Sequence, residues 1–287
     1  MTSFAKMNVL SRKIISVATF TAVIVVVVGL GVQEVQAGYT AEVSNLSPIR
    51  YFKFDGDDTG VAGSTMFDTA GNDTATYTNT TTLITGPNIG EANKAATVPG
   101  GQVGKGTVTA GLPFANQDRS VMFWYRRSST YTHDGSYVSW GRDRQFSVYG
   151  GATNSALRSG GVGQNEPVSS DPLADDVWRF AVVTASAGNA WEMYIAEVGD
   201  AVVANVSSGT GSVAGFGNPS GVSIGLGEQT CCGTFTFPNA DIDEVAVFST
   251  VLTEAQINGV LSSIPEPSSL ILLGIGTLLL TLRRRRR

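Results

Sequence analysis

Between residues 38 and 264 the chain is cut into short apolar runs by clusters of Gly, Asn, Asp and Ser, and that punctuation points to an all-β fold. Ile49-Arg50-Tyr51-Phe52-Lys53-Phe54 alternates with period two and stops at Asp55-Gly56-Asp57-Asp58, a turn. Ser120 to Arg126 reads as a largely buried strand. Ser136–Trp140 and Gln145–Tyr149 form a predicted hairpin across Gly141-Arg142-Asp143-Arg144. Trp178–Thr184 and Trp191–Val198 form another across Ser186-Ala187-Gly188-Asn189. Gly221–Leu226 and Ile242–Phe248 are later strands. Thr253-Glu254-Ala255-Gln256 fits a capping box that opens one short helix, with Ala255 and Ile257–Leu261 as its apolar face. Residues 59–115 are Thr/Gly-rich and predict strands joined by long loops, without marking where the strands lie.

Both ends differ from this middle. Lys6, Arg12 and Lys13 precede an apolar stretch from Ile14 to Val32, and Val35-Gln36-Ala37 offers small residues for cleavage after Ala37. Residues 1–37 thus read as a signal peptide, with an uncleaved N-terminal anchor as the alternative. At the other end Pro265-Glu266-Pro267 is followed by a 15-residue apolar run, Ser268–Leu282, and five arginines. That run falls short of the roughly 20 residues a spanning helix uses, unless the bilayer thins around it. The arginines hold the C-terminus on the cytoplasmic side, so the preceding chain lies across the membrane. A plain tail anchor is the alternative.

The 227 residues of 38–264 suit one sandwich or barrel domain with a sizeable core. Eight of the 19 Lys+Arg and two of the 24 Asp+Glu lie in the two ends, which leaves 11 basic against 22 acidic residues and a net charge near −11. Such a surface repels phosphate backbones and argues against nucleic acid as a partner. The two cysteines, Cys231-Cys232, are adjacent; a vicinal disulfide, free thiols and an interchain bridge all remain open.

Two resemblances rest on these residues. Pro265-Glu266-Pro267, the apolar run and the arginine cluster occur in the order of the PEP-CTERM sorting signal of exopolysaccharide-producing Gram-negative bacteria. That resemblance implies processing by an exosortase at residues 265–287, after a membrane-anchored stage, and delivery to the cell surface or extracellular matrix. Residues 45–262 resemble the LamG-like, concanavalin A-like jelly roll, a two-sheet antiparallel sandwich. The resemblance is carried by the opening strand Ser47–Asp55, the turn Asp68-Thr69-Ala70-Gly71-Asn72-Asp73, the aromatic strand Ser120–Tyr125, and a closing half of Trp178–Val183, Trp191–Ile195 and Ile242-Asp243-Glu244-Val245-Ala246-Val247-Phe248 followed by Leu252–Ile257.

Candidate chemistry is sparse. Hydrolysis of glycosides needs two carboxylates flanking an open bond. The nearest pattern, Asp241-Ile242-Asp243-Glu244, lacks the third carboxylate of related glycosidases, and reads better as a strand that begins in an acidic turn. His133 is the one histidine and has no Gly-x-Ser-x-Gly elbow beside it. LamG-like domains often hold calcium, and Asp55, Asp57, Asp58 and Asp243 are the expected ligands, since first and last strands of a jelly roll are frequently neighbours. Tyr131, His133, Tyr137 and Trp140 cluster around one hairpin and are the candidates for stacking on a sugar, whereas Trp124, Trp178 and Trp191 are expected in the core. The reading is an exported, non-catalytic protein that binds carbohydrate or exopolysaccharide. Its alternatives are a purely structural adhesion protein and a divergent glycoside hydrolase.

Overall fold

Apart from two short helices, the described residues fold mainly into strands, most of three to nine residues, as the punctuated pattern dictates. The structure is a computed structural model. It describes residues 38–97, 102–107, 111–113, 117–128, 135–140, 146–150, 157–159, 176–188, 190–210, 224–227 and 240–264. All of them belong to the unit Gly38–Arg287. Ala37, Tyr131, His133, Cys231, Cys232 and Pro265-Glu266-Pro267 lie outside the described residues.

The elements in chain order are α1 (Tyr39–Asn45), β1 (Arg50–Phe52), β2 (Thr65–Phe67), β3 (Thr74–Tyr77), β4 (Thr82–Thr85), β5 (Lys94–Thr97), β6 (Gly104–Lys105) and β7 (Arg119–Arg127). They continue with β8 (Gly135–Trp140), β9 (Phe146–Gly150), β10 (Leu157–Ser159), β11 (Trp178–Ala185), β12 (Ala190–Glu197), β13 (Ala204–Thr210), β14 (Gly225–Leu226), β15 (Ala240–Phe248) and α2 (Glu254–Ser262). One sheet runs β13-β12-β11-β7-β15-β5-β4, with β1 paired to β15; the other runs β10-β9-β8-β14-β6-β3-β2. This is the expected all-β antiparallel jelly-roll sandwich. Both predicted hairpins form, and the first strand lies against the last, with Arg50 opposite Val247.

Strand β7 shows why one sheet needs apolar residues on both faces. Val121, Phe123 and Tyr125 join the core between the sheets. Met122 and Trp124 point the other way, into a second layer with Tyr39 and Val43 of α1 and Ile257, Val260 and Leu261 of α2. β11 alternates likewise, Ala181 and Val183 inward, Phe180 and Val182 outward. A sheet covered on both sides reads as a continuous apolar run.

Helix α2 begins with the predicted capping box: Gln256 N donates to Thr253 Oγ1 and Thr253 N donates to Gln256 Oε1. Ala255 is exposed and is not part of the buried face, which Ile257, Val260 and Leu261 supply at helical spacing. Thr253→Ala removes the cap and is expected to cost about 1 kcal/mol, measurable as a lower urea midpoint with unchanged slope.

Helix α1 was not expected from the sequence. Its N-cap Gly38 supplies no side-chain bond. Instead the Glu91 carboxylate accepts from Thr40 N at 3.0 Å and Thr40 Oγ1 at 2.7 Å. A distant carboxylate thus satisfies a first-turn N–H that a local cap would otherwise take.

A buried ion pair ties the two sheets near β1. Arg50 Nε lies 3.3 Å from Asp73 Oδ2, and Asp73 Oδ1 accepts from Thr107 N. The turn Asp68–Asp73 is organised by Asp68, which accepts from Tyr51 N, Ala70 N and Asn72 N, while Gly71 takes φ +75°.

Candidate functional site

Strand β15 changes parity halfway along, and the change creates the site. Ala240 and Ile242 face the inter-sheet core, and so do Val245 and Val247. A regular strand cannot turn even and then odd positions to one face. The register supplies the missing residue: Asp243 lies opposite Trp124 and Ala246 opposite Met122, so three steps on β15 match two on β7. This is a β-bulge, and its residue Glu244 takes φ +51°, a conformation side chains other than Gly rarely adopt.

The bulge buries two adjacent carboxylates. Asp243 and Glu244 are both fully inaccessible. Asp243 Oδ1 accepts from Glu244 N at 2.8 Å, and Glu244 Oε2 accepts from Tyr51 Oη. Asp243 Oδ2 and Glu244 Oε1 have no hydrogen-bond partner, nor has the neighbouring amide oxygen Asn93 Oδ1. Gly86 lets the chain close on this spot: a Cβ there would stand 2.6 Å from Asp243 Oδ2 and 2.7 Å from Asn93 Nδ2. Burial raises the Asp243 carboxyl well above its ordinary range, with Glu244 and Asp55 adding to the effect. Burial likewise pushes Glu244 up to about 8, against the opposing pull of the Tyr51 hydroxyl and Lys53. Lys53 Nζ sits nearby, 3.5 Å from Asp55 Oδ2 and 3.9 Å from Glu91 Oε2.

Buried charge costs free energy unless something neutralises it. Here two adjacent carboxylates and a neighbouring amide each keep one buried oxygen without a partner. An oxygen-only donor set of this kind suits a hard divalent cation such as calcium.

The expected metal residues are distributed differently from the sequence reading. Asp243 is at the bulge and Asp55 acts on it electrostatically, though Asp55 Oδ1 already accepts from Lys94 N. Asp57 is exposed. Asp58 is buried and committed to the other sheet, accepting from Tyr77 Oη at 3.0 Å and weakly from Phe67 N. Among the described residues no three His, Cys, Asp or Glu side chains stand together as a metal cluster, so the four aspartates do not form one ligand set. Glu244 and Asn93 were missed. The signal available for Glu244 was its position beside Asp243 in a strand; nothing local marks Asn93.

Of the four residues expected to stack on a sugar, Tyr137 and Trp140 fall within the described residues, and both are corrected. Tyr137 lies in the core against Phe123 and Tyr125, with ring centroids 5.7 and 5.2 Å away. Trp140 stacks on Phe146 at 4.4 Å and donates from Nε1 to Pro113 O at 2.6 Å. Both rings are buried because β8 lies within the second sheet, packed against the inward residues of β7. Neither offers a face to solvent. Of the three tryptophans expected inside, Trp124 is buried, Trp178 is half-buried beneath Arg126, and Trp191 lies at the end of the sandwich.

Two facing antiparallel sheets with this strand order define a concanavalin A-like jelly roll. Residues 99–258, more than half of the chain, match the profile of the concanavalin A-like lectin/glucanases superfamily, and the chain belongs to that family. Residues 263–287 match the PEP-CTERM protein-sorting motif, which marks an exported protein sorted to the cell envelope and implies exosortase processing. No curated protein matches the sequence.

Several solved structures share the fold. The binding domain of Paraclostridial Mosquitocidal Protein 1 aligns at 13% identity and TM-score 0.57, over 77% of this chain and 53% of that one. Trypanosoma rangeli sialidase, in complex with 2,3-difluorosialic acid, aligns at 13% identity and TM-score 0.52, over 75% of this chain and 32% of that one. Domain 4 of AbnA, a GH43 extracellular arabinanase from Geobacillus stearothermophilus, in complex with arabinotriose, aligns at 21% identity and TM-score 0.51, over 75% of this chain and 98% of that one. The chain thus spans about half of the first of these structures and a third of the second. Among the described residues, no helix is long and apolar enough to cross a membrane.

Proposed function

We propose that this protein is an exported, non-catalytic carbohydrate-binding module of the cell surface or extracellular matrix of a Gram-negative bacterium, stabilised by a calcium ion. Its N-terminal residues 1–37 act as a signal peptide cut after Ala37, and exosortase cuts near Pro265-Glu266-Pro267 after a membrane-anchored stage. The observation that carries the reading is the sealed acidic pair. Asp243 and Glu244 are adjacent in the strand where the glycosidase-like acidic pattern falls, and both are fully inaccessible. A glycosidase needs its carboxylates on either side of a bond in an open cleft. Asp241, the other acid of that stretch, is bound to Arg126 Nε at 2.7 Å. These acids therefore fit a structural cation site better than an acid–base pair. Asp243, Glu244 and Asn93 would hold the ion, and the ion would supply the positive charge their burial lacks.

The fold class supports sugar as the ligand, since its solved members include a domain in complex with arabinotriose. The test is incubation of the purified protein with a panel of polysaccharides, read both as retention and as reducing ends released. Retention without new reducing ends supports a binding module. Sustained release of reducing ends would replace this reading with a hydrolase.

A further inference from the structure

Helix α1 begins at the second residue of the chain that cleavage after Ala37 would leave, and its first turn is satisfied from a distance by Glu91. Glu91 Oε1 accepts from Thr40 N at 3.0 Å and Oε2 from Thr40 Oγ1 at 2.7 Å. We propose that the cut makes the Gly38 α-amino group a structural cation, which pairs with the Glu91 carboxylate and fastens α1 to the connection between β4 and β5. The proposal rests on the signal-peptide reading above and gives that cut a consequence for the folded domain.

Distance allows the pair. A Cβ built on Gly38 would stand 2.4 Å from Glu91 Oε1. A residue's nitrogen is about 2.5 Å from its own Cβ position, so the Gly38 nitrogen lies within about 5 Å of that oxygen. As an amide of the uncut chain this nitrogen is neutral and has a single N–H. As a chain terminus it is an ammonium below a pKa of about 8, and no preceding residue holds it back from the carboxylate. The residue type fits as well. Gly38 has φ −62° and ψ 169°, extended backbone open to any residue. Close approach to Glu91, rather than backbone conformation, is therefore what calls for glycine: a side chain would drive the carboxylate off Thr40.

The terminus is already in place. Tyr39, the next residue, is fully buried, with its ring centroid 6.3 Å from those of both Trp124 and Phe180. Little further ordering is needed to bring the amine onto Glu91. Charge favours the same contact. Lys53 Nζ reaches Glu91 Oε2 only at 3.9 Å and is shared with Asp55 Oδ2 at 3.5 Å. The Glu91 side chain is 29% exposed, which leaves an ion pair there partly shielded from water. An ammonium alone at this end would oppose the helix dipole, which puts positive partial charge on the first turn. The sign of its effect therefore depends on Glu91.

The full chain, expressed with its own signal in a secreting Gram-negative host, is first sequenced from its N-terminus. Its terminal amine is then converted to a carbonyl by transamination with pyridoxal 5′-phosphate, which leaves lysine side chains as amines. Thermal midpoints before and after this treatment are compared in wild type and in Glu91→Gln, which keeps an amide oxygen for Thr40 N but lacks the charge. Wild type is expected to lose about 2–4 °C with its amine, the shift for one partly shielded ion pair in a domain of this size. Glu91→Gln is expected to lose nothing, or to gain slightly, because its ammonium faces the helix dipole alone. Gly38→Ala, which keeps both charges but displaces Glu91, is the second variant and is expected to lose less than wild type. A wild-type midpoint indifferent to the amine, or an equal loss in wild type and every folded variant, would overturn the ion pair and leave the cut after Ala37 standing. A purified chain that begins at another residue would overturn the cleavage site itself, and the ion pair with it.

Discussion

Millimolar calcium is expected to raise the thermal midpoint of the wild-type protein by roughly 5–10 °C over the same protein in chelator. The estimate follows from linkage: an ion at about 100 times its dissociation constant stabilises the folded state by about 2.7 kcal/mol. In a domain of this size each kcal/mol moves the midpoint about 2–4 °C. The physical source is the bulge, where Asp243 Oδ2, Glu244 Oε1 and Asn93 Oδ1 are buried without partners. Without the ion these acids resist ionisation, Asp243 through burial beside Glu244 and Asp55, and Glu244 through burial countered by Tyr51 and Lys53, with Glu91 also acting on it. Their folded values lie above the unfolded ones, so the folded state binds more protons. Stability in chelator is therefore highest below the unfolded value, the ordinary carboxylate range, and falls as pH rises through about 8. Calcium should flatten that slope. Asp243→Asn with Glu244→Gln should abolish the calcium shift and the slope together. A midpoint that ignores calcium in wild type, checked by calorimetric titration, would leave the pair as neutral, protonated acids.

Trp124→Ala is expected to destabilise the protein by about 3–5 kcal/mol, the usual cost of deleting a buried aromatic. Trp124 is fully buried on the face of β7 that turns away from the other sheet. It touches Tyr39 of α1, with ring centroids 6.3 Å apart, and Phe180 of β11 at 5.3 Å. Its removal should therefore loosen the helix layer as well as the sheet. Phe123→Ala, one residue away on the opposite face, should cost a similar amount through the inter-sheet core. Equilibrium urea unfolding of both variants measures this. A loss below about 1 kcal/mol at Trp124 alone would mean that α1 and α2 do not cover this sheet.

Much of the fold was legible because its long strands carry strong patterns. The Ser120–Arg126 run, the two hairpins and the Thr253–Gln256 cap each appear where the residues placed them, within a residue or two. Ile49–Phe54 promised six residues of strand, but only Arg50–Phe52 pairs, because Phe54 turns to φ +58° before the acidic turn. β2 to β6 were invisible as separate strands. Sequences such as KAAT, TATY and GK bury alanine, glycine and one tyrosine, too little apolar contrast to show a period. β13 was missed for the opposite reason: as an edge strand it is mostly exposed and polar.

The site was less legible than the fold. Asp243 was singled out, but its neighbour Glu244 belongs to a bulge that alternation cannot foresee. Gly86 and Asn93 approach from the two ends of the connection between β4 and β5, far away in sequence. The aromatic cluster misled because Tyr137 and Trp140 look the same in a sequence whether they line a groove or fill a core. Trp191 was expected in the core, and its burial agrees.

The most direct test of the account is a glycan array probed with the wild-type protein, in calcium and in chelator. The account predicts retention of a defined glycan in calcium, with no product released. Retention of no glycan in either condition would contradict it, and would leave a structural role in the cell envelope as the better description.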